Sequence, residues 1–281
     1  MGSLDSTPKE LTVLVTGFGP FKEDCPVNPS GEIAASLPDY LPAVRAKDPA
    51  GQASSLNIPP VRILKLPEPV HVSYEVVRNL VPTLWDNPEH KIDYAIHIGM
   101  AGPQLVYSLE RRAHRDGYDK ADVDGKFLRD EERHLEEGKD WIWHGLPGEL
   151  LTDLDIVDVY RTCVERGPGT IIFFLKYSSL GIYRYGYGLY PLWLTCIRPL
   201  LSRLKALHLQ ISDDPGRYMC DFIYFSSLAH LEKQKRPKKV IFLHVPQYSD
   251  QKSLSLGKEI VLTLVRAIVE SDLGKKSPAR H

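Results

Sequence analysis

The run LTVLVT at 11–16 is apolar almost throughout, the pattern of a buried strand, and it opens into a turn punctuated by Gly17, Gly19 and Pro20. Pro29 and Ser30, in VNPSGEIAASL, suit the first turn of a helix. PPVRILKLP at 59–67 predicts a second strand. SYEVVRNLVPTLW at 73–85 carries Val76, Val77, Leu80 and Val81 at helical spacing, with Pro82 falling inside the pattern. DYAIHIGMAG at 93–102 is an apolar strand that closes on a glycine-rich turn. Strand, helix and strand in alternation predict a parallel α/β sheet.

Further along, 117–148 is polar and irregular, and RDEERHLEEGKDW within it predicts an exposed surface stretch. LLTDLDIVDVYRTCVERG predicts a helix with Leu154, Val157, Tyr160 and Val164 on its apolar face. A helix follows from about Arg217 to Lys233, then a strand at 238–246 that ends in His244 and a proline. The last apolar pattern is an amphipathic helix with Ile260, Leu264, Val265 and Ile268 on one side. A frayed tail is expected over about 273–281.

One stretch breaks the pattern. No Asp or Glu occurs between Glu165 and Asp213, in a chain with 36 acidic residues, and the gap is aromatic, basic and without a clear period. It is not a membrane span, because Lys176, Arg184 and Arg198 interrupt it before roughly 18 uncharged residues accumulate.

Composition narrows the class. With 281 residues, 25% charged and 43% hydrophobic, the chain is ordinary globular protein and long enough to bury a proper core. A formal net charge of -1 gives no global field toward nucleic acid or an anionic membrane. The basic stretch KQKRPKK at 233–239 reads as a solvated loop. Cys25, Cys163, Cys196 and Cys220 form no CxxC pair, which speaks against a zinc or redox motif. The N-terminus does not read as a signal peptide, so the cytoplasm is the expected location and the thiols are expected to be free.

Free thiols leave nucleophilic catalysis open. Ligands of open α/β sheets bind at the carboxyl ends of strands, and three groups fall at such places. Glu110 lies beyond the Gly99–Gly102 turn, His244 closes a strand, and Cys220 opens the helix before it. A thiol, an imidazole and a carboxylate are the parts of a nucleophile, its base and the group that orients the base. A free thiol titrates at about 8.5, and placement at a helix N-terminus beside a histidine lowers that value. The competing reading of Cys220 is a small buried residue, and of Glu110 an exposed charge on a surface helix in LERRAHR. TGFGPF lacks the third glycine of a dinucleotide loop. Phe18 and Phe21 with Asn28 could instead line a pocket for a flat polar ring, the alternative being two core rings.

VLVTGFGPF followed by VNPS, IHIGMAG with Glu110 downstream, GRYMCDFIYFSSLAH and FLHVP, in that order, resemble pyroglutamyl-peptidase I, the cysteine-type 5-oxoprolyl-peptidase family. The resemblance spans most of the chain in separated blocks. It implies a single-domain α/β/α sandwich around a mostly parallel mixed twisted sheet, with no metal and no cofactor. It also implies a cytosolic exopeptidase that takes peptides with an N-terminal pyroglutamate and binds neither nucleic acid nor membrane; self-association into a homo-oligomer is left open. Cys220 matches the nucleophile, His244 the base and Glu110 the orienting carboxylate. Phe18 and Phe21 match rings that sandwich the lactam, and Asn28 a polar residue near the pocket.

Several features depart from that pattern, among them Pro215-Gly216 where the family usually has a small residue and Gly ahead of the nucleophile. Asp221 stands where the family usually has Asn, and an acid beside the thiol opposes thiolate formation unless it points away. Lys120 is the candidate for a basic residue that follows the glutamate in bacterial members. Roughly 167–205 looks inserted, and two origins fit it: translated non-coding sequence or a real surface insertion. The alternative function is therefore a catalytically inactive relative, serving as an interaction protein or misfolded by that segment.

Overall fold

The structure is a computed structural model and describes residues 9–21, 26–43, 58–167, 171–173 and 207–276. Nine strands are placed among these residues: β1 (Leu11–Gly17), β2 (Val61–Lys65), β3 (Tyr94–Met100), β4 (Val106–Glu110), β5 (Arg112–His114), β6 (Glu149–Leu151), β7 (Ile171–Phe173), β8 (Leu207–Ser212) and β9 (Val240–Val245). The helices are α1 (Pro29–Ser36), α2 (Tyr74–Trp85), α3 (Asp130–Glu137), α4 (Ile156–Arg166), α5 (Met219–Lys233) and α6 (Gln251–Lys276).

Seven strands make one sheet in the order β2-β1-β3-β9-β4-β8-β7. Neighbours run parallel except at β9 and β4, where the direction reverses and Leu109 pairs with Leu243 and Glu110 with Phe242. Strand residues feed two separate hydrophobic layers. Ile241, Leu243 and Val245 pack with Ile33 of α1, Val159 of α4 and Leu264 of α6. Val240 and Phe242 pack with Val77 of α2 and Phe222, Phe225 and Leu228 of α5. A strand covered on both faces is mostly apolar, which is why β3 and β9 read as hydrophobic runs, each interrupted by a single histidine, His97 and His244. The architecture is thus an α/β/α sandwich around a mixed sheet.

Several expected elements change on folding. LERRAHR is not a surface helix: it enters the sheet as the end of β4 and continues as β5, which pairs with β6. The α4 face is Ile156, Val159, Tyr160 and Cys163, while Val157 is 46% exposed. The helix starts after Asp155, whose carboxylate caps it by accepting from Asp158 N at 3.0 Å, and Leu154 just ahead of the cap is buried in the same core. RDEERHLEEGKDW forms the exposed helix α3, but its last residue, Trp141, is buried with its ring stacked on His134 at 4.3 Å. Pro82 sits inside α2. The closing helix continues into the expected tail, as far as Lys276.

Of the segment 167–205, the described residues are Gly167 and 171–173, and the latter add β7 to the sheet edge beside β8. The rest of it, with Cys196, lies outside the described residues, as do Cys25 and 277–281.

The α5 face of the sheet carries polar ties as well as apolar packing. His97 of β3 is fully buried, and its two ring nitrogens meet Thr16 Oγ1 and Ser227 Oγ, each at 2.8 Å. Burial pushes the ring down to about 3, so it stays neutral. At the other side of β1, α1 presses its first turn onto the strand end: Phe18 N donates to Ser30 Oγ at 3.0 Å. That approach requires Gly17, where a Cβ would sit 2.2 Å from the Ser30 carbonyl oxygen. Backbone cannot yield as a side chain can. Gly17→Ala is therefore expected to lose about 1–3 kcal/mol of unfolding free energy, measured by chemical denaturation; an unchanged midpoint would show that α1 can lift off β1 freely.

Candidate active site

The cleft opens where β3 and β9 end. Their register sets Gly99 beside His244. A Cβ on Gly99 would meet Cys220 Sγ at 2.8 Å and the Phe242 ring at 2.5 Å. The missing side chain is thus what lets the thiol settle over the strand next to the histidine. Cys220 is the second residue of α5, after Tyr218 at the N-cap and Met219. The first helical hydrogen bond here runs from Phe222 N to Tyr218 O, so the N–H groups ahead of it are not consumed by the helix.

Glu110 arrives from the opposite direction, at the end of antiparallel β4. Residues directly across an antiparallel pair share a face, so Glu110, Phe242 and His244 all point toward α5, and Glu110 and His244 are diagonal neighbours. Glu110 Oε1 lies 2.8 Å from His244 Nδ1, and both residues are buried. This leaves Nε2 for the thiol, with which the ring shares a hydrogen bond. Burial alone would hold the imidazole low. The negative charge of Cys220 and the Glu110 carboxylate outweigh it and push His244 up to about 10. Glu110 Oε2 has no hydrogen-bond partner among the described residues, so the carboxylate spends its bonding on the imidazole.

A cavity of about 180 Å³ adjoins the thiol, lined by Phe18, Phe21, Asn28, Tyr218, Cys220 and His244 among others. The structure therefore brings together all six residues singled out from the sequence. Phe18 is at once core and lining, 3% exposed within the α5-side layer. Asn28 has its polar atoms engaged: Nδ2 donates to Gly19 O at 2.8 Å, and Oδ1 accepts from Ser30 N and Ser30 Oγ. It caps α1 and shapes the wall. Tyr218 was not foreseen; its ring lies 6.5 Å from that of Phe21 across the cavity. The hint was its place two residues before the cysteine, in GRYMC.

Lys120 does not line the cavity. Its side chain is exposed and its carbonyl accepts from the Tyr74 hydroxyl at 3.0 Å. The loop around it is held instead by buried Asp122, whose carboxylate accepts from Ser73 Oγ, Tyr74 N, Asp124 N and Lys126 N. Cys163 is buried in α4, where burial pushes its thiol up and leaves it inert. Among the described residues no group of three or more His, Cys, Asp or Glu is placed to hold a metal.

Asp221 turns away from the thiol. It is fully buried and accepts from His114 N at 2.9 Å and from Arg217 at 3.2 Å, with His114 Nδ1 at 3.1 Å. Burial pushes its carboxyl up to about 8 in spite of the His114 N–H and Arg217, while burial lowers His114. The carboxyl is thus engaged by His114 and Arg217 on the β5 side of the helix, and its raised affinity for a proton weakens any opposition to the thiolate below about pH 8.

A thiol on a helix N-terminus, hydrogen-bonded to an imidazole that a buried carboxylate orients, on an α/β/α sandwich, defines the class as a cysteine hydrolase layout. No family profile matches the chain. It is nonetheless similar along nearly its whole length to pyroglutamyl-peptidase 1 of Rattus norvegicus, at 27% identity over 263 residues, 93% of this chain and 90% of the relative. The human pyroglutamyl-peptidase 1 is likewise 27% identical over 93% of this chain and 89% of its own. Among solved structures, the pyrrolidone carboxyl peptidase from Thermococcus litoralis superposes with a TM-score of 0.60 at 16% identity, covering 96% of this chain and 98% of that one. A Pyrococcus furiosus pyrrolidone carboxyl peptidase gives 0.58 at 20%, over 92% and 99%. The chain is thus similar along nearly its whole length to pyroglutamyl-peptidases and shares the fold of the pyrrolidone carboxyl peptidases.

The Asp221 environment makes a pH prediction. The folded state keeps a proton that the unfolded chain, with a carboxyl near 3.8, releases. The native form therefore binds more protons between about pH 4 and 8, and stability falls as pH rises through that window. Asp221→Asn should abolish this part of the slope, so that it gains on the parent steadily from pH 5 to pH 8 in parallel urea titrations; parallel curves would mean that Asp221 is ionised in the fold.

Proposed function

We propose that the protein is a cysteine exopeptidase that hydrolyses the amide bond after an N-terminal pyroglutamyl residue. The observation that carries this is the Cys220–His244–Glu110 contact chain opening onto a small cavity between Phe18, Phe21 and Tyr218. Among the described residues the wall offers rings and no Asp or Glu for an α-amine, and the Asn28 amide is already engaged. A neutral lactam suits such a wall, whereas a charged N-terminus would lose its hydration without compensation.

In this reading the Cys220 thiolate attacks the pyroglutamyl carbonyl carbon, and the oxyanion is met by N–H groups at the α5 N-terminus. As the C–N bond breaks, the imidazolium of His244 gives its proton to the leaving amine. The neutral ring then takes a proton from water, whose oxygen attacks the thioester. The C–S bond breaks, and pyroglutamate leaves with the thiolate regenerated. Glu110 keeps Nδ1 protonated and the ring facing sulfur throughout. Phe18 and Phe21 hold the lactam ring, and Asn28 fixes the wall they stand on. We place this chemistry in the cytoplasm, where a thiol nucleophile stays reduced; no helix among the described residues is long and apolar enough to cross a membrane.

The test is release of a chromogenic amine from its pyroglutamyl amide, with the prolyl and glutamyl amides beside it. Only the pyroglutamyl compound should react. Cys220→Ala and iodoacetamide treatment should each abolish turnover, and Glu110→Gln should lower kcat by about 10²–10⁴. Phe21→Ala should act mainly on KM. A folded parent with no turnover, or an active Cys220→Ala variant, would sink the proposal.

A further inference from the structure

We propose that Tyr224 is a positioning residue that sets the separation of Cys220 from the Glu110–His244 pair; the proposal rests on the site reading above. Tyr224 follows Cys220 by one helical turn, so the two share a face of α5. It is fully buried, and its hydroxyl donates to the carbonyl oxygen of Glu110 at 3.0 Å, with Val240 O at 3.5 Å. The nucleophile's helix is thereby bonded to the main chain of the carboxylate residue itself. The same ring packs at 6.0 Å from Phe242, whose ring lies 4.8 Å from His244. Tyr224 is thus tied to Glu110 by a hydrogen bond, to Cys220 through one turn of α5, and to His244 only through the intervening ring of Phe242.

This tie matters because the Glu110 side chain has little else to hold it. Oε1 meets His244, and Oε2 has no hydrogen-bond partner among the described residues. Its aim at the imidazole depends on where its main chain sits, at the end of β4. Ser227 and Asp221 also anchor α5, but to β3 and β5, and neither bonds a residue of the contact chain.

Tyr224→Phe removes the hydroxyl and keeps the ring. It should lower kcat about tenfold with KM within about twofold, since the lactam pocket is untouched. A structural role would not predict the second readout, the pH profile of Cys220 alkylation by iodoacetamide, followed by mass spectrometry of the Cys220 peptide. Its midpoint should move upward in Tyr224→Phe, as the imidazolium loses its fixed carboxylate. The effect should vanish in a Glu110→Gln background, because a residue acting through Glu110 cannot be additive with its loss. Placing 4-aminophenylalanine at 224 restores a donor at the same point and should restore the parent profile. An unshifted alkylation profile in folded Tyr224→Phe, or full additivity with Glu110→Gln, would overturn the proposal. Alkylation needs no substrate, so a parent inert toward pyroglutamyl amides would refute the assigned reaction while this experiment still reads the tether.

Discussion

A carboxylate and an imidazole lie out of water, 2.8 Å apart, at the line where a parallel sheet meets a strand running the other way. Burying either alone would cost several kcal/mol or shift it to its neutral form. Together they are tolerated, and only if each stays where the other needs it. The reversal between β9 and β4 supplies that constraint. It aligns Glu110 with Phe242 and so places the carboxylate diagonally against His244, on the face that α5 covers. In an all-parallel arrangement the carboxyl ends of both strands would stand level; here Glu110 reaches the histidine from its own strand's far end.

Everything above the pair is arranged by close approach. Gly99 lacks the atom that would collide with Cys220 Sγ, and Gly17 lacks the one that would collide with α1. The first glycine admits the nucleophile, and the second brings the turn with Phe18 and Phe21 against Asn28. Packing of this kind tolerates little volume change, because interiors are filled to crystal-like density. The cavity is then the space left between two strand ends and two helix starts, and its walls inherit their rigidity from the sheet.

Much of this could be read from the chain. Buried strands are legible as mostly apolar runs at β1, β3 and β9, and the cysteine at a helix start, the strand-ending histidine and the paired phenylalanines are identifiable by position. What escaped has physical causes. Glu110 is named as the orienting carboxylate, but its burial is open to a second reading because its strand is short and followed by Arg111 and Arg112, whose charges suggest a surface helix; the arginines do reach Asp213 at the rim, but the strand beneath them is in the core. The alternation of Leu207, Leu209 and Ile211 with His208, Gln210 and Ser212 is a clean strand pattern hidden at the end of a stretch without period. Gly99 carried no signal of its role, since a close approach between β3 and α5 is a fact of three dimensions. Asp221 read as a hazard because sequence places it beside the thiol, whereas one residue along a helix turns a side chain by about 100°.

That last point bears on how the nucleophile is held. α5 is covered almost entirely, from Met219 to Leu231, so hydrophobicity alone gives it no preferred rotation about its axis. Three buried polar groups break the degeneracy. Asp221 bonds β5, Tyr224 bonds the end of β4, and Ser227 bonds His97 on β3. Each would be left unsatisfied by a rotation or a one-residue slide, at the cost of a desolvated polar group. An apolar helix of the same shape could be equally stable, yet it would not fix which residue of the first turn faces Gly99. The polar ties specify the register of α5, and the register puts sulfur, not the neighbouring methionine or aspartate, over the strand beside His244.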